Sequence, residues 1–232
     1  MKVTIHQPDF MPWLGFFNKI NKADIFVVLD HTENNPRDSS FWGRRVQILT
    51  NGNANWFSLP LSKPKSGILG VPINEMSINF SSEKEIKKKI STIKQNYSKH
   101  PFFEDIFPLI QEYFNYPSNS LLDRNMNFIN KIIKELLIDT EIVFSSKLFC
   151  KNKSNELLIE IVNKVGGDIY LCGDGASGYQ QDNLFEKNNI IIEYNNFTSP
   201  KYEQMKSSCF VPGLSILDSL MNLGYSGVRK IL

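Results

Sequence analysis

The sequence predicts an α/β protein: a mostly parallel sheet with flanking helices, Rossmann-like, carrying a helical insertion in its middle. Three observations predict it. Val3-Thr4-Ile5 and Ile25-Phe26-Val27-Val28-Leu29 are apolar runs of strand length separated by a helical pattern, so residues 3–30 read as one βαβ unit. The second run is apolar at every position, as in a strand buried on both faces. From Glu141 onward strand and helix patterns alternate again, while residues 81–137 between the two regions are mainly helical. With no internal repeat or low-complexity linker in 232 residues, the expectation is one α/β domain over 1–232.

The elements follow in order. Pro12 suits a first helical turn, where its missing N–H is no loss. Trp13, Phe16, Phe17 and Ile20 then recur at helical spacing up to Asn21 or Lys22. Residues 31–43, "HTENNPRDSSFWG", are rich in turn formers and read as a loop. Val46–Leu49 and Trp56–Leu59 read as a hairpin around "TNGNAN". "SSEKEIKKKISTIKQNYSK" opens with a Ser-x-x-Glu capping box. "PFFEDIFPLIQEYF" and "SNSLLDRNMNFINKIIKELL" continue as helices, the second with a Ser or Asn cap. Glu141–Phe144 is a strand, Asn155–Val165 a helix, Asp168–Cys172 a strand. The loop "GDGASGYQQD", a short helix and the strand Ile190–Tyr194 follow, and Leu214–Leu223 closes as a helix before Gly224.

Composition excludes several functions. Lys plus Arg number 26 against 24 Asp plus Glu, a net charge of +2. That is no excess for neutralising phosphates, so nucleic acid is not an expected partner. The basic cluster Lys84, Lys87, Lys88, Lys89 and Lys94 reads as a solvated helix face. Cys150, Cys172 and Cys209 are far apart and odd in number, so neither a disulfide framework nor a zinc site is expected. Three histidines without ligand spacing argue against any metal, and no motif names a cofactor. No signal-peptide pattern is seen at Met1, and no apolar run approaches the roughly 20 residues that span a bilayer, so no membrane insertion and a cytoplasmic location are expected.

In a parallel sheet, ligands bind beyond the carboxyl ends of the strands. His6, Gln7 and Asp9 lie there, before a helix start that suits an anion. His6 reads either as a general base or anion donor, or as a strand cap bonded to backbone. Asp30 ends the second strand on the same rim, whereas Asp24 reads as structural. Arg44 and Arg45 follow Phe41-Trp42 and alternate in direction, so one of them at most reaches the site. The Arg44 fork suits a phosphate or carboxylate. "CGDGASGYQQD" is a glycine-rich loop at a strand end, without the spacing of a dinucleotide fingerprint or a P-loop. Cys172 reads as a small core residue rather than a nucleophile.

Taken together, "HQPDFMPWLGFFNKINKADIFVVLD", "FWGRR", "YLCGDGASGYQ", "FTSPKYEQ" and "FVPGLSILDSLMNLG" resemble the WbqC-like family, in order and over nearly the whole chain. That family is associated with gene clusters for O-antigen, the polysaccharide of lipopolysaccharide, and for other surface polysaccharides. It often has Gln-Phe after the second strand and Asn-Arg-Asn before the third. This chain has "HTENNP" and Gly43-Arg44-Arg45 there, so Arg44 matches and Arg45 replaces an asparagine. The resemblance implies a transferase placing an acyl or aminoacyl group on a nucleotide-linked amino sugar. His6 and Asp30 would be its catalytic residues. Gln7, Trp13, Trp42, Arg44, Gly173, Asp174, Gly175, Tyr179, Tyr202 and Gln204 would bind substrate. A homo-oligomer is compatible with this reading. The first βαβ unit is also similar to the nucleotidyl-transferase and pantothenate-synthetase layout, although the second histidine of that motif is absent and Trp13 stands near its place. The alternatives are therefore an ATP-dependent ligase or nucleotidyltransferase-like enzyme, and a non-catalytic binding protein of the same pathway. Because parallel strands end on one rim, His6, Arg44 and the Gly173–Tyr179 loop are expected to converge on one concave site.

Overall fold

A computed structural model describes residues 1–64, 68–173 and 180–232. Its strands in chain order are β1 (Lys2–His6), β2 (Ile25–Val28), β3 (Glu33–Asn34), β4 (Arg45–Thr50), β5 (Asn53–Ser58), β6 (Val71–Pro72), β7 (Glu141–Phe144), β8 (Ile169–Cys172) and β9 (Ile191–Tyr194). The helices are α1 (Leu14–Asn21), α2 (Glu83–Tyr97), α3 (Phe103–Asn115), α4 (Leu121–Glu135), α5 (Ser154–Lys164), α6 (Asp182–Lys187) and α7 (Ile216–Ile231). The chain groups into two compact units. Unit one is Met1–Gln7, Gly15–His31 and Ile138–Thr198; unit two is Pro8–Leu14, Thr32–Leu137 and Ser199–Leu232.

Unit one is a five-stranded sheet in the order β7-β2-β1-β8-β9. Every neighbouring pair is parallel. Parallel neighbours need crossover connections. Here α1 joins β1 to β2, α5 joins β7 to β8, and α6 joins β8 to β9. This is the α/β fold that the apolar runs predict. All four residues of β2 are buried, because the strand is covered on both faces. On one face Val3, Ile5, Ile25 and Val27 pack with Leu157 and Ile161 of α5. On the other, Phe16 of α1 meets Phe26 edge-on at 5.7 Å. Gly167 precedes β8 because a Cβ there would stand 2.4 Å from Val3 Cγ2.

Unit two holds the β4–β5 hairpin and helices α2, α3, α4 and α7. The hairpin turn is shorter than expected. Asn51 and Gly52 alone form it, both at positive φ (52° and 77°), as a primed two-residue turn requires. Strand β3, which pairs with β6, falls in residues expected to be loop. Capping of α2 also differs from the capping box: Ser82 makes no side-chain cap, and the Glu85 carboxylate accepts from Ser81 N and Oγ instead. Ser120 caps α4 through Oγ, which accepts from Asp123 N at 3.2 Å. Arg124 closes the other end of α3. Its guanidinium donates to the carbonyls of Tyr113, Phe114, Tyr116 and Ser118 at 2.8–3.1 Å. These are carbonyls that a helix end leaves unpaired.

The helix expected to stop before Gly224 breaks there and continues to Ile231; Gly224 has φ 64° and ψ 176°. The helix expected from Pro12 begins at Leu14. Pro12 and Trp13 are held in an extended form, since Trp13 bridges Ser215 and the Pro12 carbonyl accepts from Ile216 N at 2.8 Å.

Candidate functional site

The sheet order sets the first candidate. From β1 the chain runs outward through β2 to β7, then returns to the other side of β1 for β8 and β9. The order therefore reverses between β1 and β8, and in such sheets the crevice outside the carboxyl ends at the reversal is where ligands bind. Thr4 lies opposite Leu171. Two residues further on, His6 stands beside Gly173 at the ends of the two strands.

His6 is largely buried, its ring edge-on to Phe16 at 5.0 Å. Nδ1 is 3.0 Å from the Gln7 carbonyl. A carbonyl only accepts, so Nδ1 carries the proton and Nε2 is the basic nitrogen. Burial, reinforced by the positive charge of Lys19, pushes the His6 pKa down to about 3. The imidazole is thus neutral near pH 7, able to accept a proton but not to act as a cation for phosphate.

Lys19 was not singled out from the sequence. It lies on α1, is 4% exposed, and donates from Nζ to the Ile5 carbonyl at 3.2 Å. Its charge is felt by both His6 and Cys172, which places it at the strand ends flanking the reversal. A signal existed: Lys19 falls on the same helical stripe as Phe16 and Ile20, a buried face where a lysine is rare. Cys172 is fully buried, donates weakly to the Glu193 carbonyl, and has its pKa raised by that burial. It packs as a small core residue, as expected. A Cβ on Gly173 would meet nothing within 4 Å, so no packing contact of the described residues demands glycine there. Asp174, Gly175 and Tyr179 lie outside the described residues.

Asp30 is 2% exposed. Oδ1 accepts from Ser145 Oγ and Ser146 N, both at 2.9 Å, and Oδ2 accepts from Ser146 Oγ at 2.6 Å. It therefore anchors the short helical turn Ser145–Leu148 that follows β7.

The remaining candidates belong to unit two. Pro8, Asp9, Phe10 and Met11 are buried, and Met11 has φ 43°. The buried Asn125 amide donates to the carbonyls of Pro8 (2.8 Å) and Gly43 (2.9 Å), and Phe10 N donates to the Trp42 carbonyl. The segment after His6 is thus packed beside the residues that precede β4. Trp13 is half-buried. Arg44 donates from Nε to the Leu59 carbonyl and from Nη1 to the Pro36 carbonyl, tying the 31–43 loop to the strand ends. Trp42 is 44% exposed and meets Trp56, 48% exposed, at 5.5 Å and 64°.

Tyr202 and Gln204, expected as substrate contacts, converge instead on Asp218 of α7. Tyr202 Oη and Gln204 Nε2 donate to Asp218 Oδ2 at 2.8 and 2.9 Å. Gln204 also exchanges two hydrogen bonds with the Val211 backbone, which commits its whole amide. Among the described residues a cavity of about 580 Å³ lies in unit two, bordered by Phe80, Lys87, Phe114, Tyr116, Asn119 and Arg124. None of the catalytic or substrate-binding residues expected from the sequence borders it. No helix of the described residues is long and apolar enough to cross a membrane.

Comparison with known proteins agrees with the motif order. The model of the WbqC-like protein family matches residues 7–230. The chain is also 26% identical over 227 residues to the uncharacterized protein Rv1507c of Mycobacterium tuberculosis, covering 96% of this chain and 94% of that protein. No solved structure matches the chain.

Proposed function

The chain belongs to the WbqC-like protein family, and from that footing we propose that it is an enzyme of surface-polysaccharide assembly that acylates or aminoacylates a nucleotide-linked amino sugar. One observation carries the reading. The sheet reverses beside a neutral histidine and a buried lysine, a base and a cation at the place where α/β folds bind ligands.

In the transfer, the sugar amine attacks the acyl carbonyl, a C–N bond forms, and the bond from that carbonyl to the donor's leaving group breaks. His6 Nε2 receives the proton that the amine gives up and returns it to the leaving group. A pKa near 3 makes His6 a weak base in the free protein. An anionic substrate beside it offsets the Lys19 charge and raises that pKa, so the base gains strength only in the complex. Asp30 supports the rim through Ser145 and Ser146. Gly173, where a Cβ would meet no atom of the described residues, leaves room for the substrate at this rim.

Lys19 favours a second reading, an ATP-dependent ligase, since a buried cation at the strand ends also suits a triphosphate. The test is a thermal-shift screen against nucleotide sugars, ATP and acyl donors, followed by mass spectrometry of the stabilising mixtures. Acylated nucleotide sugar that is lost in His6→Ala supports transfer. AMP release supports the ligase. Stabilisation by a nucleotide sugar with neither product leaves a binding protein.

A further inference from the structure

We propose that His31 is a further catalytic residue of the sheet rim, a general base whose Nε2 takes the proton that must leave the substrate's amino group before that group can attack. Ser145 and Asp30 position it. The proposal adds a residue to the transfer reading above and rests on that reading for its substrate.

The placement follows from the sheet. Val28 and Phe144 lie opposite each other at the ends of the parallel neighbours β2 and β7. Asp30 and His31 leave the carboxyl end of one strand and Ser145 that of the other, so all three stand on the rim where parallel sheets bind ligands. They belong to unit one, as does His6. Leu29 N donates to the His6 carbonyl at 2.8 Å, so His31 follows by two residues a direct backbone contact with His6.

Hydrogen-bond accounting fixes the tautomer. Ser145 Oγ has one hydrogen and three neighbours: Asp30 Oδ1 at 2.9 Å, Asp30 N at 3.2 Å and His31 Nδ1 at 2.6 Å. A carboxylate oxygen only accepts, so the hydroxyl hydrogen goes to Asp30. The Ser145 lone pairs then accept from Asp30 N and from His31 Nδ1–H. Nε2 is therefore the basic nitrogen of His31. It makes no hydrogen bond to a described residue and reaches solvent on a half-buried side chain. No bond in this chain has to turn when Nε2 takes a proton: Nδ1–H stays on Ser145, whose hydroxyl stays on Asp30.

The other two histidines are placed differently. The His6 ring is buried, and the Lys19 charge opposes a second proton on it. His100 lies in unit two with Nε2 buried. Of the three, His31 alone joins an open Nε2 to an Nδ1 backed by a carboxylate. The chemistry needs such a group. An amino sugar arrives near neutral pH largely as an ammonium ion, whose nitrogen has no lone pair. His31 Nε2 takes one ammonium proton and passes it to water, leaving a neutral amine. The amine lone pair forms the C–N bond, and the second proton goes to His6 and on to the leaving group.

The test follows p-nitrophenolate release by the whole chain from p-nitrophenyl acetate, with glucosamine as the acceptor and N-acetylglucosamine identified by mass spectrometry. Saturable release is expected. His31→Asn keeps an amide N–H near the place of Nδ1 and removes the base, so it should lower kcat by about tenfold or more and leave KM and the melting temperature near wild type. Ser145→Ala should lower kcat by less. Imidazole added to His31→Gly should restore release, which a purely structural role would not allow, and this decides the case if His31→Asn melts early. Release no faster than that by free imidazole at equal concentration overturns the proposal. So does a His31→Asn protein with the wild-type kcat, or a His31→Gly protein that imidazole does not rescue. If release depends on His31 and nucleotide sugars give no acylated product, the functional reading fails and His31 stands. If acylated nucleotide sugar forms equally fast in His31→Asn, His31 fails and the functional reading stands.

Discussion

The Tyr202 hydroxyl donates to the Asp218 carboxylate at 2.8 Å, in a place where Asp218 is wholly buried. Gln204 Nε2 and the Tyr97 hydroxyl complete the shell, at 2.9 and 3.3 Å. Burial raises the Asp218 pKa, and these three donors oppose the shift. The carboxylate therefore gathers α2, α7 and the 202–204 segment into one polar knot inside unit two. Asp218→Ala is expected to destabilise the protein by about 3–5 kcal/mol, since it removes a buried charge and strands three donors. Tyr202→Phe should cost about 1–2 kcal/mol. Urea unfolding measures both, and a Tyr202→Phe protein with wild-type stability and lost ligand binding would refute the structural role.

His6 and Lys19 make a prediction about acid. The folded His6 pKa of about 3 lies below the ordinary histidine value of 6.5. Below about pH 6.5 the unfolded chain therefore takes up a proton that the folded one refuses. His6 thus costs stability progressively as pH falls from 6.5 toward 3, by at most about 1.4 kcal/mol per pH unit. His6→Gln should flatten the melting-temperature profile across this window. Lys19→Met should move the His6 titration upward, as read by NMR of the imidazole. A His6 imidazole that titrates near 6.5 in the wild type would contradict both expectations.

Gly224 combines φ 64° and ψ 176° with a crowded neighbour, since a Cβ there would stand 2.7 Å from the Phe102 ring. That backbone region is essentially restricted to glycine. Gly224→Ala should lose about 2–4 kcal/mol. In contrast, a Cβ at Gly173 meets no atom of the described residues, and Gly173→Ala should keep the wild-type melting temperature. A tolerated Gly224→Ala would mean that α7 runs unbroken.

Arg124 is 3% exposed and bonded to four carbonyls at the end of α3. Arg124→Met keeps the length of the side chain and leaves those carbonyls without their donor. A loss of about 2–4 kcal/mol is expected, with faster amide exchange confined first to the last turn of α3 and the residues after it. Uniform loss of protection would argue against a capping role.

The sequence by itself determined the parallel sheet, most helix bounds and the burial of Cys172. Each depends on local patterning: an apolar run such as Ile25–Leu29 has to be covered on both faces. His6 at a strand end was legible for the same reason, because strand direction places a residue on a rim. Partner choice was not legible. Only tertiary structure decided that Pro12 would pair beside Ser215 instead of starting α1, and that Tyr202 and Gln204 would turn to a carboxylate at position 218. It also placed Lys19 at the strand ends and laid Arg45 on Trp56. Periodicity reports which face of an element is covered, whereas the atom that meets a given donor is set by chain segments distant in sequence, through desolvation and hydrogen-bond geometry that exist only once they pack.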